Sequence, residues 1–196
     1  TVVAWGYNGV GNLGDGSATD RSSPSAVPGL SGIVAVAAGA HHSLALKSDG
    51  TVFAWGWNDQ GQIGDSKTIN RLSPVAVPSL NGVTALAAGV KHSLALKNDG
   101  TVLAWGGNSV GQLGDGTTTG SLKPLTVPSL SSVIALAAGD YFSLALKEDD
   151  TVHAWGGNSA GQLGDGSTTN RSSPVTTVGL NGAIALEAGD DHSIAL

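Results

Sequence analysis

Apolar positions along this chain fall in short runs that recur at fixed intervals. Val2-Val3-Ala4-Trp5 ends at Gly6, Ile33 to Ala38 lies between Gly32 and Gly39, and Ser43-Leu44-Ala45-Leu46 runs through Lys47 into Ser48-Asp49-Gly50. Runs of this length between turn residues predict strands, because a helix needs a longer stretch with a 3.6-residue period. Thr1 to Gly6 predicts a first strand and Ser25-Ala26-Val27-Pro28 a short extended segment whose proline suits a sheet edge. Ile33 to Ala38 predicts a third strand and His42 to Lys47 a fourth. Gly9 to Gly16 is too rich in glycine for anything but a structured loop.

The same order of runs is written four times without insertion or deletion, over residues 1–50, 51–100, 101–150 and 151–196. Trp5, Trp55, Trp105 and Trp155 each stand in an Ala-Trp-Gly frame. A period of about fifty residues marks an array in which no unit can bury its apolar face alone. Asp49-Gly50 and Asp99-Gly100 read as tight hairpin turns, and Asp150 breaks that pattern, which predicts strain if the backbone there is left-handed. Asn81-Gly82 and Asn181-Gly182 mark a second sharp turn.

Strands such as Ile33 to Ala38 are apolar on both alternating faces, which predicts sheets covered on both sides. One large Trp per unit among Ala and Gly suits wedge-shaped sheets with the indole filling the wider gap. The expected fold is all-β: a β-propeller, or a half-ring of one, with four antiparallel strands per blade, forming a single repeat domain over 1–196.

The motif Trp105-Gly106, Asn108, Gly111 to Gly116, Pro124, Ala137 to Gly139 and Ser143 to Lys147, with its equivalents in the other units, resembles the regulator of chromosome condensation repeat family. The resemblance covers essentially the whole chain. It implies a propeller, most often of seven blades, used for contacts with other macromolecules. A family member that exchanges nucleotide on a GTPase does so with insertions this chain lacks. The Gly-Trp-Arg-His-Thr motif of the plant ultraviolet photoreceptor is replaced here by Gly39-Ala40-His41-His42-Ser43. Neither activity is expected.

Charge narrows the partners. The net charge is −6, and the nine basic residues are scattered, so no nucleic-acid partner is expected. Lys47, Lys97 and Lys147 share one repeat slot and Arg21, Arg71 and Arg171 another, and both sets read as solvated edges. No stretch approaches 18 apolar residues, so no membrane partner is expected. There is no cysteine, which leaves the redox compartment open, and no methionine, which points to a piece of something longer. A bacterial origin is expected, with a secreted or cell-surface location ahead of a cytoplasmic one.

Candidate chemistry is sparse. His42, His92 and His192 recur in one slot, but equivalent residues on neighbouring sheets stand about 10 Å apart, too far for one metal ion. Asp190-Asp191-His192-Ser193 holds the residue types of a hydrolytic triad, yet successive strand residues face opposite ways. Asp15, Asp65, Asp115 and Asp165 lack the spacing of a calcium loop and are expected to accept N–H bonds within their own turns. No catalytic residue, cofactor or metal is therefore expected.

Positions where the units disagree carry more information, because the framework does not dictate them. Tyr7 and Trp57 occupy a slot that is Gly107 and Gly157 elsewhere, and His41, Lys91, Tyr141 and Asp191 occupy another; these six are the candidate partner-binding residues. The last unit stops four residues short. Thr1, Val2, Val3, Ala4 and Trp5 at one end, and His192, Ser193, Ile194, Ala195 and Leu196 at the other, are each expected to complete the other's blade. The expectation is a non-catalytic scaffold for an unidentified protein partner that also pairs with itself, as a homodimer closing an eight-bladed ring. The alternative is an enzyme or enzyme inhibitor working through a ring face or the central channel.

Overall fold

The computed structural model describes all residues, 1–196, and contains strands and no helix. In chain order the strands are β1 (Val3–Gly6), β2 (Arg21–Ala26), β3 (Ile33–Ala38), β4 (His42–Lys47), β5 (Val52–Gly56), β6 (Arg71–Ala76), β7 (Val83–Ala88) and β8 (His92–Lys97). They continue as β9 (Val102–Gly106), β10 (Ser121–Thr126), β11 (Val133–Ala138), β12 (Phe142–Lys147), β13 (Val152–Gly156), β14 (Arg171–Thr176), β15 (Leu186–Ala188) and β16 (Ser193–Ala195).

The sheets are out of phase with the sequence repeat. Three antiparallel sheets run β3-β4-β5-β6, β7-β8-β9-β10 and β11-β12-β13-β14, so each takes two strands from one unit and two from the next. The hairpin at Asp49-Gly50 causes this: it joins β4 to β5, with Lys47 N–H donating to Thr51 O and Gly50 N–H donating to Lys47 O, both at 2.9 Å. The remaining strands form two half-blades, β1-β2 at one end and β15-β16 at the other. Four strands per unit are present, but the complete blades number three, and the arc is open.

The second strand of each unit lies earlier than the apolar pattern indicates, at Arg21–Ala26 rather than Ser25–Pro28. Its polar residues form the outer edge, paired only to β1, and give no hydrophobic signal. In the next unit the ladder between β5 and β6 shifts register between Ala54↔Val75 and Gly56↔Arg71, and Pro74 sits in that gap, where no N–H is required.

Side chains from adjacent sheets build the core between them. Leu44, Leu46, Val52, Ala54 and Ile63 pack with Val83, Ala95 and Trp105 in one cluster, and Leu94, Val102 and Leu113 pack with Ala145 and Trp155 in the next. The expectation of covered faces fails on the innermost strands, where Val34 of β3 and Ile134 of β11 are exposed; β3, β7, β11 and β15 lie side by side along the axis side of the arc. There the backbones come very close. A Cβ on Gly39 would stand 2.4 Å from Gly89 O, and one on Gly89 the same distance from Gly139 O, so only glycine fits.

Asp150 has φ 61°, the left-handed conformation that Gly50 and Gly100 adopt in the equivalent turns. Ser132, at φ 54°, replaces the glycine found at 32, 82 and 182.

Candidate interaction surfaces

Adjacent blades are latched by a repeated set of buried polar bonds. The Trp105 indole N–H donates to Gln62 O at 2.8 Å, and the Ser93 hydroxyl donates to the same carbonyl at 2.8 Å. His42 Nε2 lies 2.9 Å from Ser93 Oγ. Since the serine proton is already committed to Gln62 O, His42 must carry its proton on Nε2 and donate. Its Nδ1 is buried without a partner, so a second proton there would find no acceptor. Burial first, then the neighbouring His92 and His41, pushes the His42 pKa down to about 3. His92 repeats the arrangement on Ser143 at 3.0 Å, and burial lowers it to about 4. Phe142 interrupts the series, leaving Ser193 bonded only to Gln162 O.

The recurring aspartates are framework. Asp15 Oδ1 accepts from the Ser17 N–H at 2.9 Å and from the Asn8 side chain, while Arg21 Nε donates to its other oxygen at 2.8 Å. The Ser17 hydroxyl foremost, then Arg21, holds the Asp15 carboxyl down to about 2. Arg71 and Arg171 bind Asp65 and Asp165 in the same way, so the arginine slot is an ion-paired brace rather than a free solvated edge. Lys47, Lys97 and Lys147 likewise pair with Asp49, Asp99 and Asp149. No three His, Asp or Glu side chains converge on a possible metal position. Ser193 and His192 are not bonded to each other.

Four of the six variable-slot candidates form a single row across one face of the arc. Tyr7 and His41 rings meet edge to face with centroids 5.7 Å apart, and His41 meets Trp57 in the same fashion at 5.6 Å. Lys91 Nζ stands 4.7 Å from the Trp57 ring centroid and 3.8 Å from Asp59 Oδ2. Tyr7 is half exposed and His41 exposed, so the row presents its edge to solvent. Beyond Lys91 the row thins. A Cβ at Gly107 would touch Lys91 Cβ and one at Gly157 would touch Tyr141 Cβ, so both slots lie in line but hold no ring. Tyr141 is isolated and exposed, and Asp191 accepts a long 3.4 Å bond from Gln162 Nε2. Asp140, Asp190 and Asp191 make this end acidic; partial burial and then the other two carboxylates raise Asp140.

The two ends of the arc are unlike. Trp55, Trp105 and Trp155 are 2%, 0% and 0% exposed, whereas Trp5 is 59% exposed on the open face of β1-β2. At the opposite end the largest cavity, ≈ 440 Å³, opens beside β15-β16 between Gln162, Leu163, Thr177 and Ser193. A smaller one, ≈ 240 Å³, lies on the first end between Trp5, Asn12, Gly39 and Ser43. Of the expected closing segments 1–5 and 192–196, the strands cover Val3–Gly6 and Ser193–Ala195, and each is an unpaired edge of its half-blade. The cavities carry no signal in the sequence, since each becomes visible only when the neighbouring sheets are in place.

Comparison with known proteins gives the same architecture. The family model described as "Regulator of chromosome condensation (RCC1) repeat" matches residues 1–46, 49–96, 99–146 and 149–196. No curated protein matches the sequence significantly. Human WBSCR16 superimposes with a TM-score of 0.84 at 25% identity, over 96% of this chain and 52% of that one. Prp20p of Saccharomyces cerevisiae, whose structure is described together with its binding to Gsp1p and histones, superimposes at 0.81 with 22% identity, over 98% and 50%. The chain thus spans about half the length of these structures. With four matched units tiling nearly all of its length, the chain belongs to the regulator of chromosome condensation repeat family.

Proposed function

We propose that this chain is a non-catalytic protein-interaction scaffold whose two open ends complete each other, with two copies closing an eight-bladed ring. The observation that carries this reading is Trp5: its three equivalents are buried between sheets, while it lies exposed on an unpaired half-blade. An uncovered strand edge with an exposed indole is a template for association. Further units of the same kind would fill the same places. A second copy is the occupant proposed because one chain carries both halves of the junction.

The row Tyr7–His41–Trp57–Lys91 is the surface assigned to a different protein. It places Tyr7 and Trp57, residue types that anchor interfaces, beside the Lys91 cation in slots the framework leaves free. The binding of Prp20p to Gsp1p and histones supports a protein partner for this fold, whose identity here is open.

Size-exclusion chromatography with light scattering tests the reading. A species of twice the 19.3 kDa chain mass is expected. A single-chain mass at every concentration would refute the paired ring.

A further inference from the structure

Moving along the chain by one repeat turns the two ends into halves of a single junction. Trp155 donates to Gln112 O at 2.9 Å and packs with Leu94, Val102, Leu113 and Val127. One unit further on these become Gln162, Leu144, Val152, Leu163 and Thr177, and all five line the ≈ 440 Å³ cavity. The tryptophan that would fill it is the equivalent of Trp5. Gly114 lies against the Trp155 ring, with a Cβ there 2.8 Å from it, whereas a Cβ on Gly164 finds only the Thr177 methyl within 3 Å. The C-terminal cavity therefore has the lining of an indole seat.

The other end is its counterpart. His42 donates to Ser93 and His92 to Ser143, which makes Ser43 the equivalent acceptor for His192. Ser43 spends its own proton on Asn12 O at 2.8 Å, so its oxygen is ready to accept, and it lines the ≈ 240 Å³ cavity with Gly39 and His42. Asn12 Oδ1, in the same cavity, is buried without a donor. His192 is exposed at the far end of the chain.

We propose that these cavities are reciprocal receptor sites for a second copy of the chain: Trp5 of one copy enters the seat of the other and donates to Gln162 O, while His192 of that other copy enters the smaller cavity and donates to Ser43 Oγ. The proposal rests on the self-pairing reading and adds its polarity, first edge on last edge and never like on like. It also explains the charge at the last edge. His41 flanks Trp57, so Asp191, one slot before the junction, comes to flank Tyr7 beside His41 of the next copy. The acidic end of one face row thereby meets the histidine of the other.

Trp5→Ala and His192→Ala each change a side chain exposed in the single arc, so both variants keep the fold, checked by circular dichroism and melting. Sedimentation equilibrium then reads association. Trp5→Ala is expected to weaken it roughly thirtyfold or more, as loss of a central interface anchor does. His192→Ala is expected to weaken it about tenfold, since the ring loses one buried hydrogen bond at each of its two junctions. In a ring of two copies the mixed pair holds one intact junction and one lacking both residues, so its affinity is expected to lie midway in free energy between the two variants' own pairs, while the double variant, lacking both residues at both junctions, pairs more weakly than either. If the wild-type chain pairs but neither variant weakens it, the junction is wrong while self-pairing stands. A wild-type chain that never pairs overturns both. Multiples larger than two uphold the junction and overturn closure by two copies.

Discussion

Replacing His92 with Phe tests whether the buried histidines govern the acid stability of the arc. Unfolded, the imidazole titrates near 6.5; folded, burial holds it near 4. Above pH 6.5 both states are neutral and the full stability is present. As the pH falls below 6.5 the unfolded chain takes up a proton that the folded one refuses, so stability drops by roughly 1.4 kcal/mol per pH unit until the folded group itself titrates. The gap of about 2.5 pH units makes the loss from His92 roughly 3 kcal/mol. His42 adds a similar slope reaching down to about pH 3. Phe already occupies this slot at position 142, fully buried against Gly139, so His92→Phe fits without a new cavity. Urea unfolding at pH 7.5, 6.5, 5.5 and 4.5 should find the variant gaining on the wild type by about 1.4 kcal/mol per pH unit below 6.5. Working with this difference cancels groups not coupled to position 92, such as His153, which partial burial lowers; His42, which His92 also pushes down, contributes a smaller share to the difference. A parallel pair of curves would refute the reasoning, since it would mean that His92 titrates alike in both states.

Asp150→Gly should stabilise by about 1 kcal/mol, because the turn holds a left-handed φ that glycine adopts freely; a raised urea midpoint with unchanged m-value checks it. Tyr141→Asp should also raise the midpoint, by about 1 kcal/mol, since Gln112 Nε2 is buried without an acceptor and Asp191 supplies one to the equivalent Gln162. Trp105→Phe should cost about 1–3 kcal/mol through the vacated indole volume and the lost bond to Gln62 O, whereas Trp5→Phe should leave the melting of dissociated chains within about 0.5 kcal/mol. Thermal melts at concentrations below self-association separate these last two, and equal losses would contradict the difference in burial.

The strands, hairpins and turn strain are legible in the sequence because they depend on neighbours in the chain. The short apolar run around Leu44 and the Asp49-Gly50 turn need nothing distant. The phase of the sheets is different, because a periodic sequence reads the same wherever it is cut. The outer strand Arg21–Ala26 escapes notice since an edge facing water asks for no apolar side chain. The arginine slot looks like loose surface charge until the loop reverses and brings Arg21 back onto Asp15, six residues earlier. The variable slots are visible as disagreements between units, but the row they form depends on how one sheet stacks on the next. The same holds for the histidine latch, whose partner serine lies 51 positions onward.

The offset between sheet and repeat bears on how such an array changes length. Cutting the chain after residue 50 and removing one whole unit deletes the outer half of one sheet and the inner half of the next. The surviving halves are identical in pattern to those removed, so they join as a complete sheet across an Asp-Gly hairpin already present. Arc length can therefore grow or shrink by tandem duplication or loss while every internal contact type is kept and the two terminal faces stay the same. The number of units is the adjustable parameter, and the pattern of the bonds between neighbouring sheets is inherited unchanged.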